Sequence, residues 1–356
     1  MDAYIHYVII MLLALANCLV PKKYQRRTSL ILLFIMMLMC GLRGYDVGKD
    51  TPNYTGFIST PSDKVYNWGP IYFLFRAIAD LFPYSETAFL LLMAMATYIP
   101  LMYLTNRYSI KPAFTVLMYI IPTAIYFNES FNIARQSIAI IYLLWSAILL
   151  GKRKMMECYA LIVLAFFFHT YSIFYILFFL VYKFRFSPKF VYISIFITVI
   201  LGLIGTMAGI QMAINTVALL ATNASDSFVR NLGTYSQYDI ESNFSLIGQL
   251  SHILPLTALC ILGASKRVQN YILFKMMVCG CLLMNLFTAV AFCERFASTF
   301  TIAQILVVPV LYRNSSKVRK KLIIILLIMT AALYVYELNG YSHNKEFWVP
   351  YHTFLN

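Results

Sequence analysis

The strongest constraint on this chain is a series of apolar windows broken by short polar, mostly basic, clusters. About 20 consecutive apolar residues in a helix span the roughly 30 Å hydrocarbon core of a bilayer. Lipid offers no partner to backbone N–H and C=O groups, so windows of this kind fold as helices that bond internally. They fall near residues 4–20, 28–43, 85–104, 112–128, 133–150, 155–168, 170–182, 189–211, 245–264, 271–292, 296–312 and 322–338. The expected fold class is therefore all-α, a polytopic integral membrane protein with about 12 transmembrane helices.

The basic clusters orient these windows. Lys22, Lys23, Arg26 and Arg27 follow the first, and Arg107 and Lys111 the third. Lys152, Arg153 and Lys154 follow the fifth; Lys183, Arg185 and Lys189 the seventh. Lys266, Arg267 and Lys275 follow the ninth; Arg313, Lys317, Arg319, Lys320 and Lys321 the eleventh. Every cluster falls on one side, and together they hold 20 of the 28 basic residues. By the positive-inside rule that side is cytoplasmic, which places both termini outside. The first window has no basic region before it and no small-residue cleavage site after it, so it reads as a spanning helix and not as a removed signal.

Composition closes the other routes. The chain of 356 residues is 61% hydrophobic and 12% charged, whereas soluble domains carry about a quarter charged residues. A soluble enzyme, a disulfide-stapled secreted domain and a disordered scaffold are excluded. The net charge of +14 would indicate nucleic acid only on a solvated basic face; here the cations lie between apolar windows, so no nucleic-acid partner is expected. The seven cysteines are odd in number and scattered through apolar runs, which is no disulfide framework. Cys279 and Cys281 would project about 200° apart on a helix and read as packing residues. No HExxH, P-loop, GxGxxG or CxxC pattern occurs, so neither a metal nor an organic cofactor is expected.

One stretch departs from the alternation. Residues 66–83 are apolar, yet counting them as a span would invert every later cluster. With Arg76 and Asp80 at i, i+4 and prolines at 70 and 83, they read as an interfacial or re-entrant helix on the outer face. The expected organisation is a single transmembrane domain, 1–356, with extracytoplasmic loops at 44–84 and 212–244.

Eight basic residues remain on the outer side: Arg43, Lys49, Lys64, Arg76, Arg135, Arg230, Arg295 and Lys345. Arg43 closes the second window, Arg135 lies one turn inside the fifth, and Arg295 joins the tenth to the eleventh. Arginine at membrane depth is costly unless it meets a wet cavity or an anion, and its planar fork suits phosphate. His169, in FFFHTYS, sits at the same outer boundary, where an imidazole is either a hydrogen-bonded packing group or a proton acceptor.

The stretch GLRGYDVGKDTPNY, Gly41 to Tyr54, resembles the R-x(3)-V/I-G-x-D-T-x(2)-Y signature of the EpsG family. These are polysaccharide-synthesis membrane proteins that look like Wzy-type polymerases of O-antigen, capsule and exopolysaccharide. The resemblance continues through Arg135-Gln136, Phe168-His169, Arg295 in CERFASTF and Val349-Pro350-Tyr351, and so covers nearly the whole chain. Lys49 departs from the small polar residue or threonine common at that position. The resemblance implies a GT-C-like arrangement and an enzyme of the bacterial inner membrane, a glycosyltransferase. Its donor and acceptor would be glycan repeat units on undecaprenyl pyrophosphate, and a chain-length regulator is a candidate partner. It further implies that Arg43, Tyr54, Arg76, Arg135, Gln136 and Arg295 hold the pyrophosphate or substrate, while His169 takes the acceptor proton, with Asp50 as the rival base. Arg43, Asp50, Arg135, His169 and Arg295 are expected to surround one extracytoplasmic cavity.

Three other functions share these features. A flippase of the same lipid-linked sugar would also need arginines, but would be expected to carry charges midway through several spans, often with internal repeats. A membrane acyltransferase would use the histidine as base and show conspicuous residues on the cytoplasmic side. A noncatalytic subunit would only bind the lipid-linked glycan.

Overall fold

α1 (Ile5–Leu19) and α2 (Lys22–Gly41) form the first hairpin, turned at Pro21. The helices are clasped by buried polar groups, with Asn17 Nδ2 donating to Ser29 Oγ at 2.9 Å. The structure, a computed structural model, describes residues 5–61, 68–121, 125–204, 246–264, 271–286, 293–343 and 351–354. Among them the protein is all-helical, apart from one isolated antiparallel bridge between Arg43 and Thr353. The 212–244 loop lies outside the described residues.

The chain divides into two compact units. The first, Met1–Val181 with Ile302–Asn356, continues through α3 (Thr51–Ser59), α4 (Pro70–Ala79), α5 (Ser85–Tyr108), α6 (Pro112–Ile120) and α7 (Ile125–Asn132). It then runs through α8 (Ala134–Gly151), α9 (Met155–Phe168), a 3-10 turn (Thr170–Tyr175) and α10 (Ile176–Val181), and ends with α15 (Gln304–Asn314) and α16 (Lys317–His343). The second unit, Tyr182–Thr301, holds α11 (Pro188–Leu203), α12 (Leu246–Gly263), α13 (Ile272–Leu286) and α14 (Cys293–Thr301).

Proline starts four of these helices, α3, α4, α6 and α11, from their first turn. Its fixed φ suits a helix entry, and its missing N–H would have no partner there anyway. In the first unit α5 is the hub, packing against α2, α3, α4, α6 and α8. In the second, α13 packs against α11, α12 and α14. Gly280 lets α14 approach closely: a Cβ there would lie 2.7 Å from the Thr301 backbone nitrogen.

The outward faces identify the solvent. On α1, Tyr7, Ile10, Met11 and Ala14 are buried, while Ile9, Leu12 and Leu13 are exposed. On α11, Val191 and Ile195 are buried, while Phe190, Ile193, Phe196, Ile197 and Ile200 are exposed, Phe196 by 66%. Helices apolar on the buried and the outward face alike belong in lipid. α5 and α8 alone, among the described residues, are long and apolar enough to cross a bilayer by length and composition.

Several elements differ from the sequence expectation. The 112–128 window is two helices, α6 and α7, and the 170–182 window begins as a 3-10 turn. The 296–312 window breaks between α14 and α15. Lys275, assigned to a basic cluster, is buried in the first turn of α13, its Nζ donating to the Tyr182 carbonyl at 2.7 Å. α4 has 10 residues and is about 15 Å long, half the hydrocarbon thickness.

Candidate active site

The segment Arg43–Tyr54 is a wrapped turn built around a buried guanidinium. Arg43 is 1% exposed, just beyond the end of α2. Its Nε donates to Thr51 Oγ1 at 2.9 Å, and Nη1 to the carbonyls of Cys40 at 2.7 Å and Ser130 at 3.4 Å. The guanidinium also lies over the Phe131 ring, 5.5 Å from its centroid, and Nη2 is buried with no hydrogen-bond partner. Thr51 Oγ1 in turn donates to the Val47 carbonyl at 2.6 Å. Arg43 thus ties the turn to the end of α7, and only Nη2 is left uncommitted.

Gly48 explains the glycine of this motif. Its φ of +101° lies in the region that side chains avoid, and a Cβ would stand 2.6 Å from the Phe131 carbonyl oxygen. Gly48→Ala is expected to cost about 1–3 kcal/mol of stability. It should lower the thermal midpoint of the purified protein in detergent. An unchanged midpoint would show that the turn relaxes freely.

From this turn α3 carries Tyr54 inward. Tyr54 is buried, its ring edge-on to Trp68 at 6.0 Å. Burial holds its phenol well above the ordinary value, Asp50 pushes the same way, and Arg135 and Arg43 oppose them. Asp50, Arg43 and Arg135 are thereby within electrostatic reach of one buried phenol. Asp50 occupies the N-cap position of α3 without bonding its side chain to the helix amides. Arg135 is half-buried in the first turn of α8, its guanidinium 4.9 Å from the Trp68 ring centroid. Trp68 stacks on Phe57 at 4.1 Å. A helix N-terminus adds its own partial positive charge to that of Arg135.

His169 reaches this cluster through its neighbours. It is half-buried, in extended backbone between α9 and the 3-10 turn. Tyr72 Oη donates to the adjacent Phe168 carbonyl at 2.7 Å. Gly69 packs so near Phe167 that a Cβ would lie 2.6 Å from its carbonyl oxygen. Tyr72 is buried, which raises its phenol well above the ordinary value, while the charge of Arg135 opposes that rise. The backbone beside His169 and the side chain of Arg135 therefore flank the same tyrosine.

The other sequence candidates are placed differently. Arg76 Nη1 donates to the Phe57 carbonyl at 2.9 Å, and its Nε lies 3.9 Å from Asp80 Oδ2, so it fastens α4 to α3. Gln136 is buried in α8 beside Arg135. Arg295 belongs to the second unit, in the first turn of α14.

Residues 26–353 match the model of the EpsG family. The chain belongs to the EpsG family. EpsG proteins are a family of Wzy-like polysaccharide polymerases, and this member is accordingly a membrane protein of polysaccharide biosynthesis. No curated protein and no solved structure matches the chain.

In this EpsG protein the structure adds participants that the sequence did not single out. Trp68 and Tyr72 sit among many aromatics of an apolar segment, and only their contacts with Arg135, Tyr54 and Phe168 distinguish them. The tail was singled out in the sequence at Val349-Pro350-Tyr351, and the structure adds what Tyr351 and the residues after it bond to. Gly44 N donates to the His352 carbonyl at 2.8 Å, Phe354 N to the Leu42 carbonyl at 3.2 Å, and Tyr351 Oη to the Met39 carbonyl at 3.1 Å. Burial pushes the Tyr351 phenol up to about 12. His352 Nε2 meets Asp46 Oδ1 at 2.6 Å. A Cβ at Gly44 would collide with that imidazole, 2.3 Å from Nε2, so the RGYD glycine makes room for the tail.

Proposed function

We propose that the protein polymerises glycan repeat units carried on undecaprenyl pyrophosphate, at the outer face of the bacterial inner membrane, by glycosyl transfer. The observation that carries this reading is Arg135 at the start of α8, held over Trp68 and flanked by the buried phenols of Tyr54 and Tyr72 with Asp50 close by. In the reaction the acceptor hydroxyl oxygen forms a bond to the anomeric carbon of the donor. The bond from that carbon to the pyrophosphate oxygen breaks, and the lipid pyrophosphate leaves with the electron pair. Arg135 and the α8 N-terminus meet the growing negative charge, an interaction stronger in the transition state than in the ground state.

The acceptor proton passes to His169, with Asp50 as the alternative base. Arg43 holds the turn that positions Asp50 and Tyr54, and offers its uncommitted Nη2 to an anion. The topology in this reading has twelve spans with both termini outside, and α4 lies in the outer interface or re-enters the membrane. Reconstitution of the purified protein with a defined undecaprenyl-pyrophosphate repeat unit tests the reading: a ladder of products by gel or mass analysis is expected. Movement of the lipid-linked unit across the bilayer without a ladder would make the protein an exporter instead.

A further inference from the structure

The tail and the turn line an open cavity of about 560 Å³ on the side of α3 away from Tyr54. α3 separates the two regions by its own periodicity. Thr51, Tyr54, Phe57 and Ile58 are its buried face, whereas Pro52, Thr55, Gly56 and Ser59 line the cavity. The cavity and the arginine cluster therefore stand about one helix diameter, ~10 Å, apart. The lining, among the described residues, holds Asp46, Glu86 and His352 but no lysine or arginine, so it does not suit a pyrophosphate. Carboxylates, an imidazole and the hydroxyls of Thr55 and Ser59 instead match the hydroxyl groups of a sugar ring. Tyr45 and Phe354 add aromatic walls on which the C–H face of such a ring can rest. A few convergent polar groups beside aromatic surface are the usual makeup of a small-molecule site.

Gly56 supplies an independent observation. It sits inside α3, where glycine is unfavourable relative to alanine, and its φ does not require glycine. Among the described residues, a Cβ built there meets no atom within 4 Å, so no packing that they make explains the missing side chain. The space left by Gly56 opens into the cavity it lines, which is what the close approach of a ligand to backbone requires. His352 is held ready on the other wall: with Nε2 donating to Asp46, Nδ1 is the nitrogen that remains for a ligand hydroxyl.

We propose that this cavity is a glycan subsite, binding one sugar ring of the polymer or acceptor a helix diameter away from the pyrophosphate site. The identity of the ligand as glycan rests on the polymerase reading; the existence of the site rests on the cavity and Gly56. The probe is lipid-free repeat-unit oligosaccharide, released by mild acid from the lipid-linked glycan of the native host. Binding to the full chain in nanodiscs is read by saturation-transfer NMR. Wild type is expected to bind, and Gly56→Phe, which fills the open space, to bind about tenfold more weakly or not at all. Thr55→Leu, on the same partly exposed face, provides a second loss should the phenylalanine variant fold poorly. The proposal is overturned if wild type does not bind, or if both α3 variants bind unchanged. Binding that disappears in Gly56→Phe supports the subsite even when no ladder forms in the reconstituted reaction, so the two readings fail separately.

Discussion

Arg135→Lys is expected to slow ladder formation about tenfold to a hundredfold although it preserves the charge. Lysine cannot present two parallel N–H groups to a phosphate, and its ammonium does not stack on an indole as a planar guanidinium does. The 4.9 Å contact with Trp68 presents Arg135 as such a plane, so the substitution removes both the fork and the surface that orients it. One charge-assisted hydrogen bond is worth about 1.5–3 kcal/mol, which sets the range. The loss should appear in the rate with expression and membrane insertion unchanged. A lysine variant with near-normal rate and chain length would reduce Arg135 to packing between α8 and Trp68.

His169→Gln is the second large effect. If the imidazole takes the acceptor proton, its loss costs about 10²–10⁴-fold, enough to leave single repeat units where wild type makes long chains. Glutamine keeps much of the polarity and size, and the backbone bonds at this position, His169 N to Ala165 O and Ser172 N to His169 O, do not depend on the side chain. The comparison variant is Asp50→Asn. An active His169→Gln protein beside an inactive Asp50→Asn protein would move the base to the carboxylate and leave the histidine as a member of the Phe168 aromatic cluster.

The all-helical class was legible because lipid imposes a simple rule: the backbone groups of an apolar segment have to bond internally. The break inside the 112–128 window carried a signal that hydropathy alone passes over, Pro122 directly after Ile121. The break at Ile302 has no such mark, because Ile302 and Ala303 are as apolar as their neighbours. In the site, Arg43 to Tyr54 could be read as one unit because its glycine, threonine and arginine serve one local turn. Trp68 and Tyr72 could not, since an aromatic that faces an arginine and one that faces lipid look the same in sequence. Gly44 and His352 were unreadable as partners for another reason: the size of a side chain more than 300 positions away decides whether that glycine can carry a Cβ.

That distance also orders events during synthesis. Tyr351 bonds to Met39 across 312 positions, and the same tail segment pairs with Leu42 and Gly44. At 5–20 residues per second, roughly 15–60 s pass between translation of the two partners. For that interval the C-terminal end of α2 packs beside its neighbouring helices without its closing strap. The cavity wall that includes His352 does not yet exist. The turn at Leu42–Gly44 is therefore made long before the residues that close over it, and it is completed only once the ribosome has released residues 351–354.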